Sequence, residues 1–317
     1  MLRLHAATRG PLLAANLNRD EPVDRNSALA ELQITAWDGP FPADDQARTA
    51  TALETGHVVV LPLLPFTLDA GEDRFCAPDT ASGARKNISF DPATGRCHGT
   101  DTEGEERTAL SAMIDRFGRA AETLVRGLVP AYAASLQRAR TSFRPVEISG
   151  RATSPRHDDR RLHVDAFPSR PLRGRRILRV FSNIAPDGTA REWRVGEPFT
   201  DMAQRFLPKL RPLLPGQAWA MATLGLTKGS RSAYDQAMLG LHDTAKMDEA
   251  YQKDSPQLGV SFPPGTTWMC FTDQVMHAAM AGRFALEQTF YLPATAMTLP
   301  SRSPLRTLEQ LTGRAMV

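Results

Sequence analysis

The chain has 317 residues, 42% of them hydrophobic and 23% charged, with a formal net charge of +3. These proportions exclude a wholly disordered or fibrous chain. Five lysines leave 33 arginines to carry the positive charge; base composition accounts for most of that bias, and a minority remain to bind carboxylate or phosphate, which a planar guanidinium suits.

Taken from the N-terminus, Met1 to Asn16 has no apolar run of signal-peptide length and is interrupted by Arg3 and Arg9. The first fifty residues are mixed and polar. Val58 to Phe66 is the most apolar stretch, but it is short and contains Pro62 and Pro65, so no membrane-spanning helix is expected. Within it, His57 to Pro62 reads as a buried strand ended by proline. Ala70 to Gly104 is rich in turn formers and is expected to be irregular, with one short strand near Ile88 to Phe90. From Glu105 to Arg138 the apolar residues Leu110, Met113, Ile114, Phe117, Ala121, Leu124 and Leu128 recur at spacings of three and four. That is one face of a helix, which Pro130 should break or kink.

Strand signals dominate thereafter: Leu162 to Phe167, Arg176 to Ile184, Gly259 to Phe262, Thr266 to Phe271 and Arg283 to Leu292. Phe199 to Leu214 and Tyr234 to Tyr251 read as helices between them. Helices followed by irregularly spaced strands imply an antiparallel sandwich or barrel with a helical layer packed on it. No GxGxxG follows a strand and no GxxxxGK[ST] occurs, so nucleotide-binding folds have no support. Cys76, Cys97 and Cys270 are odd in number and share no CxxC spacing, which argues against a disulfide framework or a cysteine zinc site. A reduced, cytoplasmic protein is the expectation.

The seven histidines contain no HExxH pair, but His-x-Asp occurs twice. His157 lies among charged neighbours, as on an exposed loop. His163 lies in Leu162-His-Val-Asp-Ala-Phe167, where alternation turns His163 and Asp165 to one face and Leu162, Val164 and Ala166 to the other. Burying an imidazole beside a carboxylate is costly unless the two are paired or bind a metal. One reading is a structural His–Asp pair. The other is two ligands of a 2-His-1-carboxylate iron site that leaves positions open for cosubstrate and O₂. That reading needs a third ligand downstream, and His277 is the natural candidate; His242 sits in a helical pattern, and His57 lies upstream at a strand start.

The segments Leu162-His-Val-Asp-Ala-Phe-Pro-Ser-Arg-Pro171, Arg175 to Phe181, Asp187 to Phe199, Pro264-Gly-Thr-Thr-Trp268, Phe271-Thr-Asp-Gln-Val-Met-His277 and Leu286-Glu-Gln-Thr-Phe290 resemble the Kdo hydroxylase family of Fe(II)/2-oxoglutarate-dependent dioxygenases. The similarity runs from about Leu53 to Pro293. It implies an α+β protein with a double-stranded β-helix (jelly-roll) core and a packed helical layer. It also implies a metal site of His163, Asp165 and His277. The implied reaction hydroxylates carbon 3 of 3-deoxy-D-manno-oct-2-ulosonic acid (Kdo) in lipid A or its precursor, turning 2-oxoglutarate and O₂ into succinate and CO₂. On this basis residues 51–295 form one catalytic domain, with helical support over 105–140 and a β-core over 141–295. Residues 1–50 are a flanking extension and 296–317 a tail.

Both organic substrates are carboxylates, so bidentate arginines are expected. Most relatives in the superfamily place Arg or Lys ten or more residues beyond the distal histidine, where this chain has Glu287 and Gln288. Arg283 and Arg179 are therefore the candidates for 2-oxoglutarate. Arg144, Arg191 and Trp193 are the candidates for the sugar, Trp193 as a flat surface for the ring. Kdo–lipid A is the expected partner, with no nucleic acid. Peripheral contact at the cytoplasmic face of the inner membrane would bring the protein to its lipid, and the cluster Arg173, Arg175 and Arg176 sits near the expected site mouth. Two other readings keep part of this picture: an oxygenase for another anionic sugar or small molecule, and a non-catalytic β-barrel that binds an anionic sugar.

Overall fold

The computed structural model describes residues 23–24, 28–83, 85–150, 153–210 and 230–317. An eight-stranded sheet runs in the order β1 (Leu29–Glu31), β2 (Val58–Leu61), β9 (Thr267–Phe271), β6 (Arg175–Asn183), β11 (Ala285–Pro293), β5 (Gln137–Arg144), β3 (Ile88–Asp91) and β4 (Arg96–His98). Only β1 and β2 pair in parallel. A smaller antiparallel sheet has the order β10 (His277–Ala281), β7 (Arg191–Gly196) and β8 (Gln257–Phe262).

Period-two alternation sorts the side chains of the large sheet between two cores. Phe181, Trp268 and Cys270 meet Trp193, Val195, Val260 and Phe262 of the small sheet, so the two sheets pack face to face. Leu178, Val180, Met269, Phe271, Leu286 and Phe290 project to the other side. There they meet α1 (Ala43–Glu54) and α2 (Gly104–Leu128), whose buried residues include all seven apolar positions expected from the spacing. α2 ends one residue before Val129, ahead of Pro130. Gly118 lets α2 approach the sheet closely, because an added Cβ would lie 2.6 Å from Gln288 Oε1. A third core joins α3 (Phe199–Phe206), α4 (Ala233–Met247) and α6 (Pro304–Thr312) to Leu162, Val164, Met276 and Ala278. Two facing sheets with helices outside them form the expected jelly-roll core.

The structure departs from the expected elements in several places, and the helix expected over Phe199 to Leu214 already ends at Phe206. Leu162 to Phe167 is extended but makes one antiparallel bridge, between His163 and His277, rather than a strand. The strand expected from Arg283 begins at Ala285 and is preceded by β10, with Gly282 between them. Gly282 has φ +102, and a Cβ there would meet Ala190 O at 2.6 Å. β5 was not expected, since its polar sequence QRARTSFR hides the alternation. The helix expected over Tyr234 to Tyr251 divides at Asp248, whose carboxylate accepts from Tyr251 N and starts α5 (Glu249–Asp254).

α1 spans the expected division at residue 50, and α6, within the expected tail, buries Leu305 and Leu308. The stretches Met1 to Asn16 and Arg211 to Leu214 lie outside the described residues. No described helix is long and apolar enough to cross a membrane.

Candidate metal centre

The bridge between His163 and His277 builds the site. His163 N donates to His277 O at 3.0 Å and His277 N donates to His163 O at 2.9 Å. Two residues on, Asp165 N donates to Thr272 O at 2.7 Å. Leu162 and Val164 are buried in the helical core, so alternation turns His163 and Asp165 the other way. One ligand atom from each of His163, Asp165 and His277 lies within 4.8 Å of the other two. The two imidazole centroids are 4.6 Å apart, and His163 Nε2 is 3.7 Å from Asp165 Oδ1.

Backbone contacts set the tautomers. His163 Nδ1 lies 2.7 Å from Arg161 O, and His277 Nδ1 lies 2.8 Å from Val275 O. A carbonyl only accepts, so each Nδ1 carries the proton and each Nε2 keeps its lone pair for a ligand role. Burial pushes both histidines below their ordinary range, His163 furthest, with His277 as its next cause. Both are neutral, as metal ligands must be.

Asp165 is ionised. Burial opposes this, but interactions led by the Arg179 guanidinium outweigh it and hold the carboxyl well below its usual range. Arg179 Nη2 lies 2.8 Å from Asp165 Oδ2, yet without hydrogen-bond alignment, so Oδ2 has no hydrogen-bond partner among the described residues. Two lone-pair nitrogens and a buried, under-satisfied carboxylate oxygen are a donor set for a divalent first-row metal. Two imidazoles and one carboxylate leave positions open, which is the pattern that suits non-haem iron.

Arg179 extends the charges inward. On β6 it shares its face with Ile177 and Phe181, and its Nη1 pairs with Glu287 of β11. Glu287 Oε2 also accepts from Arg144 of β5, at 2.7 Å from Nε and 2.6 Å from Nη2. Arg144 and Arg179 outweigh the burial of Glu287 and hold its carboxyl below the ordinary value. The result is a continuous chain, Asp165–Arg179–Glu287–Arg144, across three strands. Where relatives are expected to carry a cation, this protein has an anion flanked by cations from the neighbouring strands.

Arg191 is 4% exposed; its Nη1 donates to Gly282 O at 2.8 Å, and its Nε has no partner among the described residues. Burial first, and Arg144 second, bring its pKa down to about 9. Two sequence expectations change. Trp193 is 3% exposed and stacks on His277, with centroids 5.3 Å apart and planes at 25°. Phe181, Phe262 and Trp268 take its edges, so it presents no open face to a sugar. Arg283 pairs with Asp187 of the turn after β6, at 2.6 Å, and not with any residue of the triad.

His242 is no member of the ligand group, but α4 sets its ring edge-on to His163 at 5.3 Å. His157 is exposed, and His57 bonds locally to Thr55. The role of Glu287 was not visible in sequence. The signal was a glutamate on the same strand face as Thr289 and Tyr291 in an otherwise buried segment. A cleft of about 1010 Å³ lined by Glu197, Arg205, Gln274 and Arg302, among others, includes none of the three ligand side chains.

The family model for 3-deoxy-D-manno-oct-2-ulosonic acid (Kdo) hydroxylase matches residues 36–315, a wider span than the resemblance in sequence. The crystal structure of the Kdo hydroxylase KdoO in complex with alpha-ketoglutarate and Fe(III) superposes with a TM-score of 0.88 and 46% identity, covering 92% of this chain and 97% of that one. KdoO in complex with cobalt(II) gives a TM-score of 0.89 and 47% identity, over 91% and 97%. KdoO with succinate and Fe(III) gives 0.88 and 46%, again over 91% and 97%. These solved structures are of a non-heme Fe(II) alphaketoglutarate-dependent dioxygenase. No curated protein matches. This chain belongs to the Kdo hydroxylase family.

Proposed function

We propose that the protein hydroxylates carbon 3 of Kdo in lipid A or its precursor, giving D-glycero-D-talo-oct-2-ulosonic acid, with 2-oxoglutarate and O₂ consumed and succinate and CO₂ released. The observation that carries the reading is the convergence of His163, Asp165 and His277 within 4.8 Å in a chain 46% identical to KdoO. Iron(II), held by His163 Nε2, His277 Nε2 and the Asp165 carboxylate, supplies the oxidising chemistry when bound. The protein's own groups do the rest. Burial keeps the imidazoles neutral, and Arg179 keeps Asp165 ionised.

Arg179 and Arg144, the second expected from sequence to hold the sugar, are the cations that bind the distal carboxylate of 2-oxoglutarate, because Glu287 ties both together at fixed orientation. Arg191, with Arg144 beside it, is left for the carboxylate of the sugar. Trp193 braces His277 rather than the sugar. The same reading sets the protein in the cytoplasm, with peripheral contact at the inner membrane to reach the lipid.

The test is mass spectrometry of lipopolysaccharide from a host whose Kdo is unmodified. Expression of this chain should add the mass of one oxygen to a Kdo residue, and His163→Ala should remove that shift. An unshifted mass from a strain whose purified enzyme still turns 2-oxoglutarate into succinate would reject Kdo as the substrate.

A further inference from the structure

α4 presents a second residue to the metal centre. His242 and Lys246 are four residues apart and therefore share a helix face. His242 sets its ring against His163, so that face is turned toward the ligands. Lys246 is 2% exposed, and among the described residues its Nζ has one hydrogen bond, to Arg156 O at 3.2 Å. An ammonium has three protons to donate.

The surroundings hold charges of both signs. Asp159 is tied to β10 two residues beyond His277, where Ala279 N donates to its carbonyl at 2.8 Å. Three cations act on its carboxylate: Arg144, Lys86 and Lys246, with Lys86 Nζ 3.6 Å away. Arg191 adds a fourth positive charge beside Arg144. Four carboxylates, Asp159, Asp165, Glu147 and Glu287, stand among these cations, and Glu287 also serves Arg179. Burial lowers the pKa of Lys246, while Asp159 and Asp165 act to raise it. A buried ammonium with one hydrogen bond among the described residues, beside two neutral imidazoles, is costly until a further acceptor enters.

We propose that Lys246 is a further substrate-binding residue, its ammonium meeting the carboxylate of the sugar acid where α4 closes one side of the metal site. The proposal rests on the Kdo reading. It adds a ligand from the helical layer to arginines that all come from strands, and it gives one of only five lysines a role that the arginine-rich composition concealed.

The test uses the full chain loaded with Co(II) and 2-oxoglutarate, with free Kdo and its methyl ester titrated by calorimetry. The ester keeps the sugar's shape and removes the charge. Wild-type protein should bind the acid more tightly than the ester. Lys246→Met should lose about 10- to 100-fold on the acid and little on the ester, as expected for one charge-assisted hydrogen bond. Lys246→Arg should recover part of that loss. Affinities for Co(II) and 2-oxoglutarate should stay within about twofold of wild type, which a collapsed site would not permit. Equal losses on acid and ester would show a packing role, and an unchanged affinity for the acid would show none; either result overturns the proposal. If Lys246→Met fails to fold, Lys246→Gln gives the same comparison. Wild-type protein that holds Co(II) and 2-oxoglutarate yet binds neither sugar would overturn the Kdo reading itself, and the lysine assignment with it.

Discussion

Two arginines three residues apart on β6 show how a buried charge serves structure in one place and chemistry in another. Arg176 faces away from the small sheet and is closed on every side. Its Nε and Nη2 reach Asp273 at 2.8 and 3.2 Å, Nη2 also reaches Gln274 at 2.7 Å, and its guanidinium sits 3.8 Å from the Phe271 ring centroid. Both members of that pair are essentially unexposed. Arg179, on the opposite face, is left open: its Nε has no hydrogen-bond partner among the described residues, and its contact with Asp165 lacks hydrogen-bond alignment. The Arg176–Asp273 pair fixes the turn whose Thr272 carbonyl receives Asp165 N. One pair is satisfied and holds the frame; the other is left with unfilled hydrogen-bonding atoms. Incomplete hydrogen bonding, rather than burial or charge, separates them.

This contrast can be broken by moving the effect from one arginine to the other. The largest expected effect is on the centre itself: His163→Ala should cut hydroxylated product by about 10³-fold or more, because a missing ligand removes the metal that does the chemistry. Metal analysis of the purified variant should show the loss directly. Next, Arg176→Leu should cost about 3–5 kcal/mol of stability by leaving Asp273 charged and unpaired. Chemical denaturation measures this, and an unchanged midpoint would deny the pair its structural role.

Arg179→Lys should do the reverse. It should weaken Co(II) or 2-oxoglutarate binding by about 10- to 100-fold, as loss of an outer-sphere partner does, while the denaturation midpoint moves far less than in Arg176→Leu. A large stability loss with normal ligand affinities would erase the distinction between the two arginines.

The smallest effect concerns acid. Glu287 has a lowered native pKa against a reference of 4.5. The unfolded chain therefore takes up its proton first as pH falls. The stabilisation is complete above about 4.5 and is lost as pH drops through the native value. Glu287→Gln should flatten the acid limb of the stability curve by at most about 1.4 kcal/mol per pH unit. A limb that kept its slope would place the titration elsewhere.

Much of the centre could be read from local pattern. α2 was legible because its apolar spacing directly reflects the turn of a helix. His163 and Asp165 were legible because alternation acts over three residues even where the sheet offers a single bridge. The rest depends on residues distant in sequence. β5 and β10 have polar and alanine-rich sequences, and they become strands because β11 and β7 supply their hydrogen-bond partners. Arg283 looked available until the fold brought Asp187 to it across 96 residues. Lys246 falls in a helix where a charge ordinarily faces water, and only the packing of α4 turns it inward.

One further property of the centre follows from the contacts of the two Nδ1 atoms. Each imidazole is held by the peptide carbonyl two positions before it, within its own stretch of chain. No side chain takes part, so replacing residue 161 or 275 changes what surrounds the centre and leaves the tautomer in place. The orientation of both ligands is thus encoded in main-chain geometry and is present before any metal arrives. The imidazoles lean on neutral carbonyls rather than on carboxylates, so of the three residues that would hold an ion only Asp165 carries a negative charge.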